Sequence, residues 1–129
     1  MNSVSYLEQH LSDYMADLRE LVEFDSGSHN KAGVDRAATI MAGHLESIGC
    51  QVERIPLTDY GDCVVGRLRG SGRLRLLLLG HLDTVYPDGT AAQRPLRVEG
   101  NRAYGPGVAD MKSGLLTGVY ALRALREAG

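Results

Sequence analysis

With 129 residues, the chain carries about one domain's worth of sequence. Its 43% apolar and 23% charged residues match an ordinary globular protein able to bury a core. Fourteen basic side chains against sixteen acidic ones leave a net charge of −2 with both signs interspersed, which disfavours nucleic acid and anionic membrane as partners. No run reaches transmembrane length. The start, Met1-Asn2-Ser3-Val4-Ser5, lacks the cationic-then-apolar order of a secretory leader, so a cytoplasmic location is the expectation.

In chain order, Val4, Leu7, Leu11, Tyr14, Met15, Leu18, Leu21 and Val22 recur at three-and-four spacing, which predicts one amphipathic helix from Val4 to Phe24. Asp25-Ser26-Gly27-Ser28-His29-Asn30 gathers the residue types that end helices and make turns, and His29 reads as a solvated loop histidine. A second helix is predicted from Lys31 to Ile48, with Gly49 as its left-handed cap. His10 and His44 lie within helices without a partner at ligand spacing, and both read as structural.

Past Gly49 the period changes to two. Cys50 to Ile55 and Cys63 to Arg69 are predicted strands, separated by a turn at Thr58 to Asp62. The apolar run from Leu74 to Leu79 reads as a strand covered on both faces. Arg97 to Tyr104 should form two short strands about Glu99-Gly100-Asn101, and Lys112 to Ala128 a largely buried helix with Arg123 and Arg126 near its C-terminal end. Cys50 and Cys63 sit in no close-spaced metal motif and are expected as reduced thiols.

Chemistry concentrates in two polar knots. Gly80-His81-Leu82-Asp83-Thr84-Val85 ends the apolar run, and alternation puts His81 and Asp83 on one side of the chain. A metal-bound imidazole normally gives its other ring N–H to a carboxylate, a place that Asp83 suits. The second knot, Tyr104-Gly105-Pro106-Gly107-Val108-Ala109-Asp110-Met111-Lys112-Ser113-Gly114, puts Asp110 at a helix start, where it reads either as a metal ligand or as an ordinary N-cap.

These two motifs resemble the N-terminal signatures of the dinuclear zinc metallopeptidases that include carboxypeptidase G, acetylornithine deacetylase, succinyl-diaminopimelate desuccinylase and aminoacylase-1. His81 to Pro87, Arg97-Val98-Glu99-Gly100 and Tyr104-Gly105-Pro106-Gly107 look most like the glutamate carboxypeptidase branch. The resemblance implies an α/β fold, the N-terminal part of a three-layer αβα catalytic domain with a mixed, largely parallel sheet, with residues 1–129 as one piece of that domain. It implies His81 as a zinc ligand, Asp110 as the carboxylate bridging two zincs, Asp83 as the catalytic partner orienting His81, and a cis peptide after Asp110. It further implies two Zn2+ per full-length chain, with Co2+ or Mn2+ as substitutes, a homodimer, and a small peptide or N-acyl amino acid as substrate. Ser113 stands where a second glycine is frequent in relatives and Met111 varies among them; neither departure removes a ligand.

Such enzymes continue with a Glu-Glu pair, a further acidic ligand, a dimerisation domain and a late His ligand, none of which this sequence contains. Two ligands for a pair of metals fall short of the three that hold a catalytic zinc. The expectation is therefore a fragment that binds zinc weakly and does not turn over substrate by itself. Its parent would be a glutamate carboxypeptidase-like exopeptidase or an N-acyl-amino-acid deacylase. A non-catalytic binding module that kept the fold is the reading from another class.

Overall fold

The predicted first helix forms with a kink. In the computed structural model, which describes residues 2–129, α1 (Ser3–Gln9) and α2 (Leu11–Val22) meet at His10, whose backbone leaves the helical region at φ −104°, ψ 15°. The His10 ring stacks on Tyr6 at 4.0 Å, and its Nδ1 lies 2.8 Å from the Tyr6 carbonyl oxygen. This side chain competes for the carbonyl that the helix ladder would use.

Helix α3 (Lys31–Ser47) opens on Asn30, whose side chain accepts the Gly33 N–H, and it closes at Gly49, left-handed at φ 81°. Helix α5 (Ser113–Ala128) brings Leu116, Val119 and Tyr120 against Leu18, Leu21 and Val22 of α2 and Ala37 and Met41 of α3. These residues, with Ile48, Leu96 and Val108, form the core. The apolar stripes read from the sequence are the faces that meet there.

Strands β1 (Gln51–Ile55) and β2 (Cys63–Arg67) pair antiparallel beside α3, with Ile55 opposite Cys63 and Gln51 opposite Arg67. Both cysteines are free thiols. A short helix α4 (Thr90–Gln93) precedes β3 (Arg97–Glu99) and β4 (Arg102–Tyr104), a hairpin turning at Gly100, φ 58°.

The α/β character is as expected, but the described residues form two antiparallel pairs and no largely parallel sheet. Among the described residues the single parallel pairing is an isolated bridge between Gly27 and Thr84. The run Leu74 to Leu79 also departs from expectation. It belongs to no strand, and Leu74, Leu76, Leu77 and Leu79 are more than four-fifths exposed. A strand exists only where a neighbour completes its backbone ladder, and no described segment lies alongside this run to do so. Leu78 lies against α5, near Gly118.

The turn between β1 and β2 is fixed by charge. Asp62 accepts from Lys31 Nζ at 2.9 Å, from the Leu57 N–H at 3.2 Å and from Arg54 Nε at 2.9 Å, while its own N–H donates to Asp35 at 2.7 Å. Lys31 first, then the Leu57 amide and Arg54, hold the Asp62 carboxyl down at about 2. A folded value below the unfolded one stabilises the fold above the ordinary carboxylate range, and that stabilisation is lost as pH falls towards about 2. Asp62→Asn should therefore unfold at lower temperature than the parent at neutral pH, and the gap should close in thermal melts recorded at successively lower pH. A gap independent of pH would disprove the assignment.

Candidate metal centre

His81 and Asp110 come from separate stretches, and close packing brings them together. A Cβ on Gly80 would lie 2.7 Å from Leu115 Cδ2 and 2.9 Å from Met111 Cε, so the turn that carries His81 sits closely against the side chains at the start of α5. Gly107 is left-handed at φ 77°, and a Cβ there would meet Thr84 Cγ2 at 2.6 Å. The two glycine-bearing loops thus lie against one another.

Between Gly107 and α5 the chain makes a wide turn, Val108–Lys112, in which Asp110 (φ −131°, ψ 91°) and Met111 leave the helical region. The Asp110–Met111 peptide bond is cis, as the resemblance implied. Asp110 is not a helix cap, because α5 has no side-chain cap and the Asp110 carboxylate turns to His81 instead. The ordinary N-cap reading of Asp110 is therefore set aside.

His81 Nε2 lies 2.8 Å from Asp110 Oδ1; on the other side of the ring, Nδ1 lies 3.1 Å from Asp83 Oδ1 and 3.0 Å from the Asp83 carbonyl oxygen. Partial burial alone would lower the imidazole's pKa, but the Asp110 carboxylate and then the Asp83 carbonyl outweigh it and hold the ring above its usual value. Imidazole and carboxylate are the donors that zinc accepts, and the ring nitrogen not held by Asp83 is the one that faces Asp110. The donor set fits one zinc in part, with two ligands of the three or four needed. All three side chains are at least a third exposed, so the site opens to solvent.

The loop Asp25–Asn30 is the part that sequence reading missed. The Thr84 N–H donates to the Ser26 carbonyl at 2.9 Å, the Ser28 N–H donates to the Thr84 carbonyl at 3.1 Å, and the Ser28 hydroxyl donates to Asp83 Oδ2. Nothing in a run of turn residues signals which backbone it will pair with. A second oversight is His44, which does have acidic neighbours: Asp17, Glu20 and His44 bring ligating atoms within 4.8 Å of one another. That cluster already holds a cation. Arg123 reaches His44 Nδ1 at 3.3 Å and Asp17 at 3.9 Å, and the Tyr120 hydroxyl donates to Asp17 at 2.7 Å. Burial, against the pull of Asp17, lowers the His44 pKa and favours the neutral ring.

Comparison with known proteins agrees with this geometry. Residues 77–129, which contain both knots, match peptidase family M20/M25/M40. Over 114 residues the chain is 39% identical to carboxypeptidase G2 of Pseudomonas sp. (strain RS-16), covering 87% of this chain and 28% of that protein. It is 32% identical over 122 residues to a succinyl-diaminopimelate desuccinylase of Gluconobacter oxydans (92% of this chain, 31% of that one). It is 34% identical over 119 residues to an acetylornithine deacetylase of Edwardsiella ictaluri (79% and 29%).

These matches support the M20 family for this chain. It spans under a third of the length of these relatives. Within the M20 sequence, Lys112 follows Asp110 by two residues yet points away from it: the ammonium is buried, donates to the Leu21 carbonyl and lies 4.9 Å from the Phe24 ring centre. It therefore anchors the Asp110 turn to α2 and leaves the carboxylates of the site to other cations.

Burial, opposed by Asp25, lowers the Lys112 pKa to about 8. Between about 8 and the unfolded value of 10.5 the native state binds fewer protons than the unfolded one, so stability rises with pH across that window. The rise should be on the order of 3 kcal/mol. Lys112→Met should lack it when urea unfolding is followed at a series of alkaline pH values, and an unchanged slope would show that Lys112 is not the group responsible.

Proposed function

We propose that these residues form the N-terminal portion of the catalytic domain of a zinc-dependent hydrolase that cleaves an amide bond next to a carboxylate-bearing residue, in the manner of a glutamate carboxypeptidase. The observation that carries this reading is the alignment of Asp83, His81 and Asp110, with Nδ1 of His81 engaged and Nε2 directed at a second carboxylate. His81 would be a zinc ligand, Asp110 the carboxylate shared by two zincs, and Asp83 the group that fixes the His81 tautomer. Bound zinc supplies a Lewis acid for the amide carbonyl and makes a bound water acidic enough to act as nucleophile near neutral pH. Co2+ or Mn2+ would serve the same donor set less selectively.

The residues present do only part of this work. Asp83 keeps the proton of His81 on Nδ1, which leaves the Nε2 lone pair free for metal. Asp110, projecting from a turn with non-helical backbone, offers its carboxylate without spending it on the helix end. A general base and further ligands belong to sequence outside these residues, as do the dimer interface and the rest of the three-layer sheet. A small peptide or N-acyl amino acid is the proposed substrate, hydrolysed in the cytoplasm by a homodimer. No helix among the described residues is long and apolar enough to cross a membrane.

A deacylase acting on an N-acyl amino acid is the second reading, favoured by the similarity to both desuccinylase and acetylornithine deacetylase sequences. Both readings share the same metal chemistry and differ only in substrate. The test is zinc affinity measured by competition with a chromophoric chelator. His81→Ala should weaken binding to this chain by at least about 10-fold, and Asp83→Asn by about 10- to 100-fold, the usual worth of an outer partner to a ligating histidine. Unchanged affinity in His81→Ala would overturn the assignment. In the full-length enzyme, His81→Ala should abolish amide hydrolysis.

A further inference from the structure

We propose that Ser28 is a positioning residue of this centre: its hydroxyl holds Asp83 Oδ2, so that Oδ1 remains aligned with His81 Nδ1 and Nε2 remains free for metal. The inference rests on the reading of His81 as a zinc ligand and extends it one residue further out. Three features carry it.

The first is the way the Ser28 backbone is fixed relative to Asp83. The Gly27–Thr84 bridge, with Thr84 N–H to Ser26 and Ser28 N–H to Thr84, binds the loop to the residue immediately after Asp83 on both sides. Ser26 and Thr84 are themselves buried. A Cβ on Gly27 would fall 2.7 Å from the Tyr86 carbonyl oxygen, so the two backbones are as close as glycine allows.

Secondly, the loop is tied at its flanks. The Asp25 carboxylate accepts the N–H groups of Gly89 at 2.6 Å and Ala91 at 2.9 Å, and Asn30 donates to Asp88 at 2.9 Å. The segment carrying Ser28 and the segment carrying His81 and Asp83 therefore move as one piece.

The third feature is the distribution of protons. An ionised carboxylate only accepts, and a serine hydroxyl has one proton to give. With Ser28 on Oδ2 and His81 Nδ1 on Oδ1, each oxygen of Asp83 has its own donor, and the carboxylate plane has no freedom to swing away from the ring. Removing the hydroxyl leaves Asp83 half-exposed and free to rotate, which loosens the tautomer preference of His81 without touching a ligand.

The experiment measures zinc affinity of this chain by chelator competition for the parent, Ser28→Ala, Ser28→Thr, Asp83→Ala and the Ser28→Ala/Asp83→Ala double variant, with His81→Ala as reference. Ser28→Ala should weaken zinc about five-fold, the worth of one net hydrogen bond. Ser28→Thr, which keeps the hydroxyl, should restore affinity, and Ser28→Ala should have no further effect once Asp83 is alanine. The ring-nitrogen NMR shifts of His81 in the metal-free chain at alkaline pH should show a smaller share of the Nδ1–H tautomer in Ser28→Ala.

If His81→Ala weakens zinc binding while Ser28→Ala changes neither affinity nor tautomer, the role of Ser28 is overturned and the metal centre stands. An equal loss from Ser28→Ala in both Asp83 backgrounds would also overturn it, since the effect would then be general to the loop. Unchanged zinc affinity in His81→Ala would sink the centre itself. Ser28→Val, which has the shape of the threonine variant without its hydroxyl and adds no zinc ligand, gives the same reading should the alanine variant unfold.

Discussion

The bridge between Gly27 and Thr84 is a contact through which the helical core reaches the proposed metal centre. On one side of it lies α2, whose Leu18, Leu21 and Val22 are fully buried; on the other lies the turn that presents His81 and Asp83. Two backbone hydrogen bonds are individually worth about 1 kcal/mol each. They matter because they couple a loop to a well-packed helix that has little freedom to move. A ligand displaced by a fraction of an ångström binds a metal poorly, so rigidity at this point has direct chemical value.

A similar coupling holds Asp110. Its turn is pinned from below by the Lys112 ammonium on the Leu21 carbonyl and from the side by Gly107 against Thr84. Burying an ammonium costs several kcal/mol unless it is well partnered, and a single carbonyl with an aromatic face offsets only part of that. The lowered pKa of Lys112 is the visible remainder. Thus the Asp110 turn is referred to Leu21, near the end of α2, and to Phe24 just beyond it, although neither is close to it in sequence.

The sequence revealed local order well and distant pairing poorly. Helices α2, α3 and α5 were legible because three-and-four spacing is a property of each segment alone, and Gly49 marked the end of α3 as a left-handed cap must. His81, Asp83 and Asp110 were legible because two motifs carried them, and the geometry does bring the three together. The kink at His10 was not, since it depends on a ring bonding a carbonyl four residues back. Ser28 and the His44–Asp17–Arg123 group were missed for a stronger reason: their partners lie 55, 27 and 79 residues away, and only packing brings them into reach. Leu74 to Leu79 fails in the opposite sense. Its composition describes a covered strand, but composition cannot supply the neighbour whose backbone would complete the ladder.

Charge at the centre explains why the arrangement is suited to a cation rather than to catalysis by the side chains alone. Two carboxylates flank one imidazole, and Lys112, the nearest buried ammonium, is committed elsewhere. That imbalance raises the His81 pKa despite partial burial. A proton on Nε2 would occupy the line to Asp110 along which the proposed metal would be held. Metal uptake there would have to release such a proton, so affinity would fall as the medium becomes more acidic. A proton on Nδ1 would stay, because Asp83 can accept it with or without metal. The two ring nitrogens would then differ in role, and the asymmetry comes from the support behind Asp83.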